Sequence, residues 1–170
     1  MNRILIVALA FVCFALNANA KKDKTVEYNY ELVTVKNGGG ATSGFRIFKV
    51  WSYCKKKELL TQEICMRNAV HGVIFKGLAG DDAIGGQMKA LVPEGVGEHK
   101  DYFDNFFDSG DFKQFIQLTS KGAQQAGDVV KTANKEWKVG LVVQVNVNAL
   151  RKRLEADGII MSTQDIFKRK

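Results

Sequence analysis

Histidine and cysteine are the residues best suited to acid–base or nucleophilic chemistry at neutral pH, and this chain has few of them. Its 170 residues include two histidines, His71 and His99, and three cysteines. The sequence has no HExxH motif, no GxSxG motif and no CxxC pair. On one predicted helix, Cys65 and His71 would point roughly 120° apart, which does not suit a catalytic dyad. We therefore expect no enzyme activity, no catalytic residue and no cofactor, and we expect a neighbouring group to satisfy His71.

Carboxylates are the second group that could do chemistry, as ligands of a metal ion. Asp101, Asp104, Asp108 and Asp111 follow one another at spacings of three, four and three residues. A calcium loop needs oxygen ligands at alternating positions in a tight turn, whereas these spacings are typical of the solvated face of a helix. The glycine-rich residues 80–86 also lack the GK[ST] ending of a phosphate-binding loop. The sequence therefore predicts no metal site.

Residues 1–20 have the pattern of a signal peptide. An apolar run follows Arg3, and Ala18-Asn19-Ala20 supplies the small residues of a cleavage site. The run is shorter than the ~20 apolar residues of a membrane span. Cys13 lies inside the run and not at a lipidation site. We expect cleavage after Ala20 and a periplasmic or secreted chain, residues 21–170, that forms a single domain without a transmembrane segment.

Two cysteines, Cys54 and Cys65, would remain after removal of the signal peptide, and export determines whether they can form a disulfide. An oxidising compartment permits a disulfide between them, because Cys54 would end a strand and Cys65 would lie in the helix that follows. The alternative is two separate buried thiols. The distance between the two residues decides which applies, so the sequence leaves both open.

Basic residues outnumber acidic ones and occur in short runs. The formal net charge is +7, and removal of Arg3 lowers it to +6. The runs are Lys21-Lys22, Lys55-Lys56-Lys57, Arg151-Lys152-Arg153 and Lys168-Arg169-Lys170. Export makes nucleic acid an unsuitable partner. An anionic envelope surface or an acidic protein fits the charge better.

A strand at residues 137–147 is the first of the predicted elements that would position the candidate residues. Apolar side chains occupy every second position there, which predicts a long strand with one buried face. Residues 25–35 and 45–54 predict a hairpin around a turn at 37–40, and residues 129–133 predict a partner for the long strand. The alternation within 45–54 is poor, which is typical of a central strand covered on both sides in places.

Helical periodicity appears in four other stretches. Residues 58–75, 101–108 and 112–118 have helical spacing, and residues 149–158 predict a helix with Asn148 as its N-cap and Gly158 at its end. Residues 77–100 have little periodicity and predict a long loop. The element order predicts an α+β fold, an antiparallel sheet made from two hairpins with helices packed on one face.

Aromatic and basic residues provide the candidate interaction surface. It comprises Trp51, Tyr53, Lys55, Lys56, Lys57, Tyr102 and Phe106. Aromatic side chains can bind protein partners or stack against sugars, and the alternative is that these aromatic residues are part of the core.

Four segments resemble known proteins. They are Lys49–Tyr53, Asn68–Gly77, Lys135–Gly140, and Ala149–Glu155 with Gly158–Ile160. They are similar to small exported proteins of Bacteroidetes-type bacteria that have no assigned activity. The pattern of a helix with an Asn-Ala pair, a valine-rich strand and a leucine-rich helix also resembles the N-terminal domain of flagellar assembly protein T and related envelope lipoproteins. The resemblance implies an α+β interaction domain in the envelope and brings no catalytic residues.

The sequence leads to two predictions of function, one for a protein that binds other proteins and one for a protein that binds small molecules or glycans. The leading prediction is a non-enzymatic binding or scaffold protein that serves an envelope or secretion assembly, with a protein partner or self-association. The alternative is a small-molecule or glycan-binding exported protein.

Overall fold

The computed structural model describes residues 28–35, 44–80, 87–119 and 127–162. The predicted signal peptide and the predicted turn at 37–40 lie outside these residues. The basic runs at 21–22 and 168–170 lie outside them as well.

Five antiparallel strands form one sheet, with the order β1-β2-β5-β3 and with β4 also paired to β5. The strands are β1 (Tyr30–Thr34), β2 (Phe45–Cys54), β3 (Ile116–Leu118), β4 (Val129–Lys131) and β5 (Trp137–Asn146). β1 and β2 form the first predicted hairpin, and β4 and β5 form the second. Together with three helices, this sheet confirms the predicted α+β fold.

Alternation along the central strands explains how they lie in the sheet. In β5 the side chains of Val139, Leu141, Val143 and Val145 are buried and belong to the core. In β2, Phe48 and Val50 are buried on the same face as these valines, opposite Val143 and Leu141. The other face of β2 is half-buried and contributes nothing to the core cluster, so the predicted double-sided covering is only partial.

Helix α1 (Gln62–Phe75) covers the buried face of the sheet. Its buried residues include Ala69, Val70 and Val73, which pack in the core with both central strands. The predicted start at residue 58 was wrong, because residues 57–59 form a 3-10 helix and Thr61 caps α1 by accepting a hydrogen bond from Ile64 N at 3.2 Å.

Helix α2 (Lys100–Asp108) packs against α1, and its boundaries agree with the prediction to within one residue. The prediction of a helix over 112–118 was partly wrong. Residues 111–115 form a 3-10 helix, and the chain then becomes β3, which pairs with β5. Pairing with a strand distant in sequence overrides the local helical spacing here.

Helix α3 (Val147–Ala156) follows β5 directly. Its N-cap is Asn146 and not Asn148 as predicted, since the Asn146 side chain accepts a hydrogen bond from Ala149 N at 2.9 Å. Leu150 and Leu154 are buried in the core. Gly158 has φ +73 just after the helix, and Ile159 N donates back to Leu154 O, as the sequence predicted.

The described part of the 77–100 loop packs closely against the end of α1. Leu78 and Met88 form an isolated bridge, and Val92 N donates to Ile74 O at 2.8 Å. Leu91 and Val92 are buried. The loop therefore contributes to the core on the helix side of the sheet.

Candidate binding surface

The face of the sheet opposite α1 lies outside the core of the described residues. We call it the open face. Strand register places these residues on it: Glu31, Val33, Ile47, Lys49, Trp51, Tyr53, Val130, Lys138, Val142 and Gln144. None of them belongs to the core cluster of the described residues or packs against it. Two of the exposed large apolar side chains of the described chain, Val33 and Val130, lie here, and each is 43% exposed.

Trp51 lies across Gly140 at the centre of the open face. The two residues face each other in the β2–β5 register. A Cβ atom built on Gly140 would lie 2.6 Å from Trp51 Cζ3 and 2.6 Å from Lys49 Cε, so any larger residue would displace both side chains. Glycine in the middle of a strand often marks such a close approach. Gly140 therefore makes the space in which the indole lies on β5.

Two lysines flank the Trp51 ring. Lys49 Nζ is 4.2 Å from the ring centroid and Lys138 Nζ is 4.5 Å from it, while Lys138 Nζ is also 5.1 Å from the Tyr53 ring. These distances suit cation–π attraction, which restricts the motion of both the indole and the ammonium groups. The aromatic side chains of the open face are therefore held in place by charged neighbours.

Carboxylates balance these lysines. Lys49 forms an ion pair with Asp128, and Lys138 Nζ lies 3.7 Å from Glu31 Oε2. The Tyr53 hydroxyl donates to Glu31 Oε2 at 2.6 Å. Burial and this contact with Glu31 raise the pKa of Tyr53, so the phenol stays protonated at neutral pH. The centre of the open face thus combines aromatic groups with charges that are paired among themselves.

The predicted interaction surface is divided between three places. Trp51 and Tyr53 lie on the open face, and Lys55, Lys56 and Lys57 are exposed just beyond the end of β2. Tyr102 and Phe106 are on α2, on the helix side, and Phe106 is buried in the core. The structure therefore does not bring Tyr102 and Phe106 to the tryptophan, because the Phe106 ring packs in the core and stacks on Phe115 of the 111–115 3-10 helix.

The sequence interpretation did not identify Glu31, Lys49, Lys138 and Gly140 as part of this surface. For two of these residues, the sequence contains a feature that could have indicated the surface. Lys138 and Gly140 are the non-apolar positions of the alternating strand, and Gly140 is a glycine within a strand.

A small cavity lies near Tyr102 on the helix side. Its volume is about 190 Å³, and it is lined by Tyr102, Asn105, Phe106, Ser109, Asp111 and Arg153. The Tyr102 hydroxyl and Arg153 Nε both donate to Asp157 Oδ2 at 2.6 Å, and Arg153 Nη2 is 3.7 Å from Asp111. Because ligand pockets usually exceed about 300 Å³, we interpret this network as a connection between α2 and α3.

His71 is packed among aromatic rings. The Tyr28 ring stacks on it at a centroid distance of 3.7 Å, and the Tyr30 hydroxyl is 2.6 Å from His71 Nδ1. Burial, together with the charges of Lys76 and Arg67, lowers the pKa of His71 to about 4. The imidazole is therefore neutral at pH 7 and has a neighbour as its partner, as the sequence predicted.

Cys54 and Cys65 are free thiols in the structure, Cys54 half-buried and Cys65 buried. Cys65 is buried and hydrogen-bonds to Ser52, and Asn68 Nδ2 donates to Ser52 Oγ at 2.9 Å. Burial raises the pKa of the Cys65 thiol, with the Ser52 hydrogen bond acting in the opposite direction. A raised pKa makes this thiol a weak nucleophile.

Three of the four aspartates of α2 and the following turn form ion pairs. Asp104 pairs with Lys100, Asp108 is 3.8 Å from Arg67, and Asp111 is 3.7 Å from Arg153. Within the part of the chain that the structure describes, no group of three or more His, Cys, Asp or Glu side chains could hold a metal ion.

Two further findings concern the whole of the described chain. None of its helices has the length and apolar character that crossing a membrane requires. No protein-family model, curated protein or solved structure matches this chain. The resemblance to exported envelope proteins accordingly stays a prediction.

Proposed function

We propose that this protein is a non-enzymatic binding or scaffold protein, and that the open face is the surface through which it binds a protein partner in an envelope or secretion assembly. The proposal depends mainly on the position of Trp51, which lies across Gly140 and outside the core. The indole is flanked by Lys49 and Lys138. Tryptophan and tyrosine are the residues that most often dominate protein interfaces.

The composition of the open face favours a protein over a charged polymer as the partner. Lys49 and Lys138 are balanced by Asp128 and Glu31, so the centre of the face carries little net charge. Exposed Val33 and Val130 add apolar area on either side of the aromatic residues. Interface cores are apolar and enriched in aromatic residues, and the pairing of the lysines keeps the net charge at this centre low.

Held side chains also lower the entropic cost of binding. Trp51 rests on β5 and contacts two ammonium groups, and the Tyr53 hydroxyl is bound to Glu31. Each side chain that is already ordered avoids a cost of about 0.5–1.5 kcal/mol when a partner docks. The open face is therefore organised before the partner arrives.

A place in the envelope follows from the N-terminal pattern and from the resemblance, both of which concern export. The chemistry around His71 and Cys65 supports the non-enzymatic part of the proposal. The imidazole is stacked and hydrogen-bonded, and the thiol is buried.

The second candidate function is glycan binding, and the neighbouring rings of Trp51 and Tyr53 on one sheet face favour it. Titration with envelope glycans, followed by tryptophan fluorescence, tests it. A saturable change that disappears in Trp51→Phe would support a glycan site, and a flat response would remove that candidate.

Crosslinking of the native protein in intact cells, with mass spectrometry and sizing of the purified chain, tests the leading proposal. The decisive comparison is between Val33→Glu on the open face and Val96→Glu on the helix side, because these valines are 43% and 41% exposed. We expect Val33→Glu to abolish the crosslinked complex and Val96→Glu to retain it. A monomer with no crosslinks, or equal behaviour of the two variants, would contradict the proposal.

A further inference from the structure

A second surface, separate from the open face, surrounds the other tryptophan of the chain. Trp137 begins β5, and the register pairs it with Cys54 at the end of β2 and with Lys131 at the end of β4. The ends of three strands therefore meet at one indole. The segments that follow β2 and precede β5 are a 3-10 helix and a hairpin turn.

Lysines gather at this place. We call the surface formed by Trp137 and the lysines of these strand ends and adjoining segments the basic end, and these lysines are Lys55, Lys56, Lys57, Lys131 and Lys135. All five are exposed. The carboxylates of the same two segments are those of Glu58 and Glu136. The basic end therefore has a net positive charge.

Unlike the lysines of the open face, those of the basic end have no carboxylate partner among the residues that the structure describes. Across residues 28–35, 44–80, 87–119 and 127–162, none of the ion pairs involves any of these five side chains. Lys57 Nζ and Lys131 Nζ instead lie 5.5 and 5.7 Å from the Trp137 ring centroid. Their charges are thus available to an anionic ligand.

Apolar groups accompany the charges. Trp137 is half-buried, and Leu59, in the 3-10 helix that contains Lys57, is 37% exposed. Lysine, tryptophan and exposed aliphatic side chains are the groups that bind in the headgroup region of a bilayer, where lysine meets lipid phosphate and the indole has both an apolar body and a polar edge.

We propose that the basic end binds the surface of an anionic lipid bilayer. The hairpin turn and the 3-10 turn lie at the same end of the sheet and their lysines are exposed, so an extended surface can contact side chains of both segments. The proposal goes beyond the protein-binding function of the open face. It does not require that function, because the two surfaces share no residue.

Vesicle partitioning of the intact protein, isolated from cells with the N-terminus they leave on it, tests the proposal. The vesicles contain phosphatidylcholine with or without phosphatidylglycerol. We expect binding only with phosphatidylglycerol, and weaker binding at high salt, because salt screens exposed charges. Each lysine near an anionic surface strengthens partitioning roughly fivefold.

Variants that each remove two positive charges show which part of the protein contacts the vesicle. Lys57→Gln with Lys131→Gln should weaken partitioning roughly 25-fold if both lysines reach the headgroups. Arg151→Gln with Lys152→Gln is the matched control, since it removes the same charge from α3, which begins at the opposite end of β5. We expect the control to lose less than about twofold, because distant exposed charges are screened. Equal losses in the two variants would overturn the proposal.

The two tryptophans provide separate reporters, since the chain contains no others. Trp51→Phe leaves Trp137, whose emission should shift to the blue and be quenched by brominated acyl chains on anionic vesicles. Trp137→Phe leaves Trp51, which should not respond. A response from Trp51 alone would place lipid on the open face and overturn the inference. The protein could instead bind polyglutamate and not vesicles, and lose that binding in the variant with Lys57→Gln and Lys131→Gln. That result would identify an acidic polypeptide as the ligand and would also overturn the inference.

Discussion

The indole of Trp51 occupies the space that Gly140 leaves on the neighbouring strand. These two residues are opposite one another in the register, and a methyl group on Gly140 would come within 2.6 Å of the ring. A large aromatic side chain is thereby held against the sheet on the face that no core residue uses. The proposed binding function depends on this arrangement.

Gly140→Ala tests how that arrangement is held. The atoms that must move are the ring of Trp51 and Lys49 Cε, both of which are the far ends of side chains. We expect the free energy of unfolding to change by about 1 kcal/mol or less, while the indole moves towards solvent. In a Trp137→Phe background, Trp51 emission should shift to the red and iodide quenching should increase. Unchanged emission with an unchanged quenching constant would show that the ring does not lie on Gly140.

Alanine substitutions at two positions of β2, Phe48 and Trp51, test whether the open face is outside the core. Phe48→Ala should lower the free energy of unfolding by about 3–5 kcal/mol, since Phe48 is fully buried. Trp51→Ala should lower it by about 1 kcal/mol, because the indole is only half-buried and lies outside the core cluster. Urea unfolding followed by circular dichroism measures both values. Losses of similar size would mean that the open face is as well packed as the core.

His71 predicts a pH dependence of stability. Its pKa is lowered to about 4 in the folded protein, from about 6.5 in an unfolded chain. The folded state therefore binds fewer protons between these values, and stability falls as the pH falls through this range. We expect a loss of roughly 2 kcal/mol between about pH 7.5 and pH 5, measured by urea unfolding.

His71→Gln is the control for this pH dependence, because the amide can still hydrogen-bond to Tyr30 but cannot titrate. The positive groups around the imidazole, Lys76 and Arg67, are unchanged in this variant. The variant should have a nearly flat stability profile over the same pH range. A profile as steep as that of the unaltered protein would assign the pH dependence to another group.

The buried contact between Ser52 and Asn68 predicts a double-mutant result. Ser52→Ala removes the acceptor of the Asn68 amide, whose side chain is buried, and should cost about 1–3 kcal/mol. Adding Asn68→Leu removes the unsatisfied amide and should restore part of that loss. Chemical denaturation of the two single variants and the double variant gives the coupling energy. Strictly additive losses would indicate that the hydrogen bond contributes little.

Strand periodicity made much of this fold predictable. Residues 137–147 alternate clearly enough to place a strand, and residues 45–54 are rich enough in aromatic and β-branched residues to place another despite their poor alternation. Apolar spacing near 3.6 placed α1 and α3 to within a few residues. These local patterns also gave the α+β class, with helices on one face. β3 could not be predicted, since Phe112, Phe115 and Ile116 fit a helix until pairing with β5 extends the chain.

The candidate surface was predictable only in part. Trp51 and Tyr53 attract notice by residue type alone. The contacts that hold them depend on side chains far apart in sequence, such as Lys49 with Asp128 and Tyr53 with Glu31. No local pattern reports such pairs. Tyr102 and Phe106 were grouped with them because aromatic composition does not tell which layer of the fold a side chain faces.

Site-specific photocrosslinking in intact cells tests whether the open face binds a protein partner. A benzophenone amino acid is placed at Val33 on the open face or at Val96 on the helix side, two positions of nearly equal exposure, 43% and 41%. We expect a discrete protein adduct from position 33, which is lost when Trp51 is changed to alanine, and no such adduct from position 96. The same adducts from both positions, or an adduct from Val96 alone, would contradict it.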